Sequence, residues 1–421
     1  MILCSLNKYK CSRNKNKELG LTLMQIAILG YGTVGGGVGR LVAQQQHQVQ
    51  QLQVTHIFVR PTHPRTQPEM SDDFEAIIND SHLDVVVETL GGVEPAHQYI
   101  LAALRHGKHV VTANKAVVAR YLQEFTQVAA AHHVHFYYEA STGGGIPWLR
   151  NLEQAARVDS LDRLAGILNG TSNYILDQMA SQGVEFEVAL RSAQQLGYAE
   201  ADPTADVAGI DVQNKLRIST AVAFNVDPQF ALPTWGISGV RQSDIRDLQR
   251  LGLTLKLMGT SVRHGDHVAA VVAPTVVVND SLFAHTPGNF NLIALHGESV
   301  GDLQFYGQGA GAAPTANAIV QDVLDIAHGV PHLHRDFAQP AISDDDLLTG
   351  DYLVRGAVGA CPGVTDSMVG SYYWAADVHP AVMARWVASH PDSLALRLSP
   401  AASAQERPTV AQLAQGRRAF A

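Results

Sequence analysis

The chain is poor in cysteine: Cys4, Cys11 and Cys361 are the only three in 421 residues. That is too few for a disulfide framework, and no metal-ligand spacing joins them, so a reducing, cytoplasmic setting is expected. Long hydrophobic runs are missing as well. No stretch approaches the roughly 18 apolar residues of a membrane span. The longest, Val268–Val278, contains Pro274 and is rich in valine, so it reads as strand. A basic footprint is absent: 30 Lys+Arg against 39 Asp+Glu leave a formal charge of −9, which argues against nucleic acid as a partner. With 46% hydrophobic and 16% charged residues, the chain is neither a disordered tail nor a coiled coil. Its length suits two or three domains.

Lysine is the scarcest charged residue. There are eight, and four of them (Lys8, Lys10, Lys15, Lys17) lie before Met24. The body keeps Lys108, Lys115, Lys215 and Lys256. Codon bias toward Arg explains such scarcity. Lysine also differs from arginine in having a pKa that burial can lower into a catalytic range.

Residues 1–23 are basic, polar and aperiodic, and read as a leader ahead of a natural start at Met24. From there strands Gln25–Leu29, Val54–Val59, Asp84–Glu88, His109–Thr112 and His135–Glu139 alternate with helices. That alternation predicts an α/β fold with a Rossmann-type, doubly wound parallel sheet over 24–143. Helices at Thr171–Ala180, Phe186–Leu196 and Val207–Phe224, strands near 268–306 and a helix at Thr315–His328 predict a second, α+β domain for substrate binding and dimerisation over 144–330. Residues 331–421 read as a linker and a small C-terminal segment.

Gly30-Tyr31-Gly32-Thr33-Val34-Gly35 follows the first strand and opens a helix. In the G-x-G-x-x-G pattern the first glycine permits a tight turn, the second admits pyrophosphate close to the backbone, and the third lets helix pack on strand. The free N–H groups of the helix then face the phosphates. The second strand ends at Val59-Arg60, with no Asp or Glu between Val54 and Gln67 to accept from a ribose hydroxyl. A guanidinium there, Arg60 with Arg65 nearby, suits a 2′-phosphate and favours NADP over NAD.

Three further motifs carry chemistry. Gly107–Ala116 is a strand whose end delivers Asn114 and Lys115 to the carboxyl edge of the sheet, where ligands of open α/β sheets bind. In Gly197–Lys215, Asp206 is expected to cap a helix on which Asp211 and Lys215 are i and i+4. Most such pairs are solvated salt bridges of little value. This helix is otherwise apolar, and a desolvated Lys beside a carboxylate is a proton donor with a tunable pKa. Tyr306–Ala316 is a glycine turn running into a helix with Pro314 near its first turn.

These motifs, together with Val87–Pro95, Tyr138–Pro147 and Leu168–Leu176, resemble the homoserine dehydrogenase family over residues 24–330. The family interconverts L-homoserine and L-aspartate 4-semialdehyde with NAD(P), toward threonine, methionine and isoleucine. The resemblance implies Lys215 as the proton donor to the carbonyl oxygen and Lys115 as a second lysine at the reacting centre. Glu200 and Asp211 resemble the carboxylates that hold the substrate, chiefly its ammonium group. Gly30, Gly32, Thr33, Val34, Gly35, Arg60, Lys115, Gly197 and Gly309 match cofactor contacts. Glu139 with the carbonyls of Thr142, Gly144 and Ile146 matches a loop for a monovalent cation, sodium; a carboxylate with backbone carbonyls in a glycine-rich turn is a hard-oxygen site. A homodimer or higher homo-oligomer is implied as well. Tyr352–Val364 resembles the opening of a small ACT-type regulatory domain, but the residues after Val364, rich in Ala, Trp and His, depart from that pattern. Two other readings stay open. One is a different NAD(P)-dependent amino-acid dehydrogenase on the same fold; the other is a non-catalytic NADP sensor, which should have lost one of Lys115, Glu200, Asp211 and Lys215.

Overall fold

The computed structural model describes residues 23–44, 49–227, 229–330, 337 and 339–399. Residues 1–22 of the expected leader lie outside the described residues. The chain divides into two compact units: Met1–Pro147 with Ala310–Asp336, and Trp148–Gly309 with Phe337–Ala421.

The first unit is built on six strands: β1 (Met24–Leu29), β2 (Leu52–Phe58), β3 (Met70–Ser71), β4 (Val85–Glu88), β5 (His109–Thr112) and β6 (Phe136–Tyr137). They pair in parallel in the order β3-β2-β1-β4-β5-β6. Strand β4 and the last four residues of β1 are fully buried, as strands covered on both faces must be, and their sequences are accordingly unbroken apolar runs until Glu88. The strand order reverses between β1 and β4. At that switch the carboxyl ends of β1, β4 and β5 lie side by side and carry Gly30, Glu88 and the Asn114–Lys115 turn. The expected strand His135–Glu139 shortens to β6, and Glu139–Ser141 forms a 3-10 turn.

Helix Ala312–Ala327 belongs to this unit, not to the second domain where contiguity along the chain puts it. Its apolar face, Ala316, Ile319, Val320, Val323 and Ile326, joins one core with Ile26, Ile28, Val85, Val87 and Val111. The approach to helix Thr33–Gln44 is close. A Cβ on Gly37 would stand 3.0 Å from the Ala312 carbonyl oxygen and 3.2 Å from the Ala316 Cβ.

The second unit holds a ten-stranded mixed sheet. Its spine is a long hairpin, β8 (Leu253–His264) with β9 (His267–Val278), paired along its full length. β7 (Leu161–Ile167), β10 (Phe290–Gly297) and β11 (Gly301–Gln308) extend it on one side. Helices Trp148–Ala155 and Ile210–Phe224 cover one face. Trp148, wholly buried, donates from its indole N–H to Ser219 Oγ at 2.8 Å and meets Phe305 edge-on at 5.6 Å.

The C-terminal strands extend the same sheet, so the described part of the expected separate segment 331–421, Phe337 onward, is instead part of the second unit. β12 (Ile342–Ser343) pairs with β9. β13 (Gly350–Arg355), β14 (Val364–Val369), β15 (Tyr372–Val378) and β16 (Leu394–Leu398) lie in the order β16-β13-β15-β14, and β16 joins β9. Numbered within the module, that order is 4-1-3-2 and antiparallel throughout, the arrangement of a β-α-β-β-α-β unit. Between the first two strands a single 3-10 turn, Val358–Ala360, stands where a helix would be. Among the described residues no helix is long and apolar enough to cross a membrane.

Candidate active site

Each unit contributes its own set of groups. In the first, β1 ends at Gly30 with φ +88°, a left-handed conformation that glycine adopts freely. A Cβ on Gly35 would lie 2.0 Å from the Gly30 carbonyl oxygen and 2.7 Å from Thr89 Oγ1, so the helix can start this close to the strand only with glycine there. Gly32 and Thr33 are exposed at the mouth of the turn and Val34 is half-buried. The N-terminal amides of a helix opening this way form an anion site, and the open Gly32 face admits a phosphate. The loop therefore fits a nicotinamide dinucleotide. Arg60 is exposed two residues beyond β2. Arg65, its sequence neighbour, is engaged by the Asp72 carboxylate.

Lys115 is the first residue of helix Lys115–Ala131 and is half-buried. Asn114 caps that helix, its Oδ1 accepting from the Val117 N–H at 3.4 Å. Behind it lies Glu88, fully buried. Its carboxylate accepts from the Leu90 N–H at 2.7 Å, Thr112 Oγ1 at 2.5 Å and Asn114 Nδ2 at 3.5 Å. Burial pushes this carboxyl up, while the three donors pull the other way.

The second unit holds the lysine–carboxylate pair. Asp211 and Lys215 are both buried, and Lys215 Nζ stands 2.9 Å from Asp211 Oδ2. The same ammonium donates to the Leu168 carbonyl at 2.7 Å. Asn169 completes the set. Its Nδ2 donates to Asp211 Oδ2 at 2.9 Å and Asp206 Oδ1 at 2.6 Å, while its Oδ1 caps helix Gly170–Gln182 by accepting from the Ser172 N–H at 2.7 Å. Asp206 is thus not the expected helix cap. It lies inside a short helix, Thr204–Val207, and the helix bearing Asp211 starts afresh after Gly209, at φ +85°.

Glu200 is exposed in the turn before Thr204, and Gly197 is exposed with φ +74° after helix Phe186–Gln195. Gly309 ends the second unit's last pre-helix turn, where a Cβ would come within 1.8 Å of the Asn291 amide. Back in the first unit, Glu139 and Thr142 are buried, and Thr142 Oγ1 has no hydrogen-bond partner. Gly143 and Gly144 turn the chain at φ +87° and +56°, and Ile146 is buried behind them. Among the described residues no group of three His, Cys, Asp or Glu side chains could hold a metal ion, so any cation here depends on carbonyl oxygens.

Two further residues of these sets are not marked out by sequence reasoning. Asn169 precedes Gly-Thr-Ser, a helix-start signature, but its bridging of Asp206 and Asp211 spans about forty residues. Glu88 has a local signal: a lone charge ending an all-valine buried strand.

A dinucleotide loop at the switch point of a doubly wound sheet, with a buried lysine–carboxylate pair on a second unit, defines a nicotinamide-dependent oxidoreductase. Family models narrow this. Residues 30–139 match the homoserine dehydrogenase NAD-binding domain, and residues 147–324 match homoserine dehydrogenase. The homoserine dehydrogenase of Synechocystis sp. is 40% identical over 316 residues, covering 72% of this chain and 73% of that protein. That of Pseudomonas aeruginosa is 36% identical, covering 77% and 78%. The crystal structure of a homoserine dehydrogenase from Thiobacillus denitrificans superposes with a TM-score of 0.79 at 31% identity, covering 90% of this chain and 99% of that one. The chain belongs to the homoserine dehydrogenase family, oxidoreductases with NAD or NADP as acceptor.

Proposed function

We propose that the chain interconverts L-aspartate 4-semialdehyde and L-homoserine with NADP as the preferred cofactor, in the cytoplasm, as a homodimer or higher homo-oligomer serving threonine, methionine and isoleucine synthesis. The observation that carries the reading is the buried Asp211–Lys215–Asn169 set. The Asp211 carboxylate and the Leu168 carbonyl position Lys215 Nζ, and a buried, positioned ammonium suits donation to a substrate oxygen. In the reducing direction the bound nicotinamide supplies the hydride to the aldehyde carbon. As charge grows on the oxygen, Lys215 gives it a proton and is reprotonated from solvent; in the oxidising direction it takes that proton back. Lys115, at a helix start on the sheet's carboxyl edge, adds a second cationic donor. Glu200 and Asp211 hold the substrate ammonium.

The cofactor set is Gly30, Gly32, Thr33, Val34, Gly35, Arg60, Lys115, Gly197 and Gly309. The preference for NADP is supported by an exposed Arg60 beside a turn without a carboxylate. Glu139 and the carbonyls of Thr142, Gly144 and Ile146 are offered as a monovalent-cation site, with sodium the first choice; the unpartnered, buried Thr142 hydroxyl supports a polar occupant there.

The deciding experiment is turnover of L-homoserine with NAD and NADP in parallel, in sodium and in choline buffers. Arg60→Ala should raise the KM for NADP by about tenfold to a hundredfold, the worth of a charge-assisted contact, and leave NAD little changed. Equal weakening of both cofactors would remove Arg60 from phosphate reading. Equal rates in the two buffers would remove the cation.

A further inference from the structure

We infer that Glu88 is a positioning residue for Lys115, holding the turn that presents this lysine through Thr112 and Asn114. The inference rests on the catalytic reading of Lys115. All the groups belong to the first unit. Glu88 ends the buried strand β4, and β5 runs beside it in register, so Glu88 is the Cα partner of Thr112. The Thr112 hydroxyl donates to Glu88 Oε2 at 2.5 Å and accepts from the Asn114 N–H at 3.0 Å. Asn114 Nδ2 reaches Glu88 Oε1 at 3.5 Å and donates to the Gly92 carbonyl at 2.7 Å. Both atoms of the Asn114 side chain are thereby committed, since its oxygen caps the helix that begins with Lys115. The backbone of Lys115 is one residue from this knot.

A buried carboxyl is expensive to keep, and hydrophobic packing could have closed a strand end more cheaply. Glu88 does what an apolar residue cannot. One carboxylate satisfies donors from three segments: the 89–92 turn, the end of β5 and the helix cap. The glycine loop does not depend on it. Thr89 fastens that loop with its own bonds, donating from Oγ1 to the carbonyls of Leu29 at 3.0 Å and Gly30 at 2.8 Å. Loss of Glu88 should therefore displace Lys115 and leave the glycine loop in place, so that dinucleotide binding loses no more than the contact Lys115 itself makes.

The test variant is Glu88→Gln, which keeps the shape but has one acceptor oxygen where the carboxylate has two. Its NH2 replaces either the oxygen that takes the Leu90 and Asn114 donors or the one that takes the Thr112 hydrogen, and in the second case the hydroxyl must turn its hydrogen elsewhere. In the full-length apo protein, amide hydrogen exchange at residues 114–118 should speed up by about tenfold or more, with helix Ala96–Arg105 unchanged. The dissociation constant for NADPH should rise no further than it does in Lys115→Ala, because the glycine loop stays in place, while kcat falls by about tenfold or more. The isotope effect with NADPH deuterated at the transferred position should rise, because a misplaced donor slows the chemical step. A smaller fraction of folded enzyme would lower kcat without moving that ratio. If Glu88→Gln does not fold, Thr112→Val, which cuts the same chain at its middle link, takes its place with the same expected results. Unchanged exchange at 114–118, or an unchanged isotope effect with lowered kcat, overturns the inference. If Lys115→Ala turns over like wild type, the catalytic reading of Lys115 falls instead, while the exchange measurement still decides whether Glu88 anchors the turn.

Discussion

Two buried lysines of the second unit grip the same helix, Gly170–Gln182, and they differ in what surrounds them. At the helix start, Lys215 meets the Leu168 carbonyl and the Asp211 carboxylate, which Asn169 also binds. One turn on, Lys256 donates to Asn173 Oδ1 at 2.9 Å and to the Thr286 carbonyl at 2.7 Å. The charge that acts on it is Asp177, whose carboxylate is held by the Gly288 N–H. Burial pushes Lys256 down to about 8, and Asp177 offsets this only in part. Both side chains are almost wholly enclosed, so burial alone does not mark a catalytic lysine. The carboxylate within bonding distance is what sets Lys215 apart, and the proposed catalytic role rests on it. Lys256 instead fastens the loop ahead of β10 onto the helix, and Asn173 Nδ2 adds bonds to the carbonyls of Thr286, Gly288 and Phe290.

The largest expected effect separates these roles outright. Lys215→Ala should lower kcat by about 10² to 10⁴ with NADPH binding nearly unchanged. Lys256→Met should leave kcat within about threefold of wild type. Steady-state kinetics on both variants with homoserine checks this. Comparable losses would erase the distinction and point to shared support of the helix. A smaller step sharpens it. Asn169→Ala takes a donor from Asp211 and the cap from the helix, for an expected loss of about 1–2 kcal/mol in stability and about tenfold in kcat. Chemical denaturation beside turnover measures both. A stability loss without a rate loss would make Asn169 a cap only.

The sequence is most informative where the determinants are local. Strand His109–Thr112 is legible to the residue, because a short run of β-branched residues follows a glycine stop and precedes an asparagine cap. The Asp211–Lys215 pair follows from helical spacing alone. Asp206 misleads because the pattern of apolar residues continues across Gly209. The break there is a backbone matter: a left-handed residue whose Cβ position is hemmed by Val272 and Thr234. β8 opens on a strand-like alternation, Leu253-Thr254-Leu255-Lys256-Leu257, but Gly259, Thr260 and Ser261 then break it. It is a strand because β9 pairs with all twelve of its residues. The return of helix Ala312–Ala327 to the first unit is illegible for a related reason. Its partners, Gly37 and the β1–β4 core, lie more than two hundred residues away, and nothing local to the helix names them.

The smallest expected effect concerns Lys256 and pH. In the unfolded chain this amine titrates near its ordinary value of 10.5, and in the fold near 8. Between those values the unfolded state holds more protons than the folded one, so the contribution of Lys256 to stability rises with pH through that window and is flat below it. The variant Lys256→Met lacks the group, and subtracting its curve removes the titration of everything else. Its stability at pH 7 should be lower than wild type by about 1–3 kcal/mol, since Asn173 Oδ1 loses its partner. That deficit should widen as pH rises from about 8 to 10, by up to roughly 3 kcal/mol, the ceiling set by the two pKa values. Urea denaturation of both proteins at pH 7, 8, 9 and 10 provides the measurement. A deficit that stays constant or shrinks would mean that Lys256 keeps its proton in the fold and that Asp177 offsets its burial.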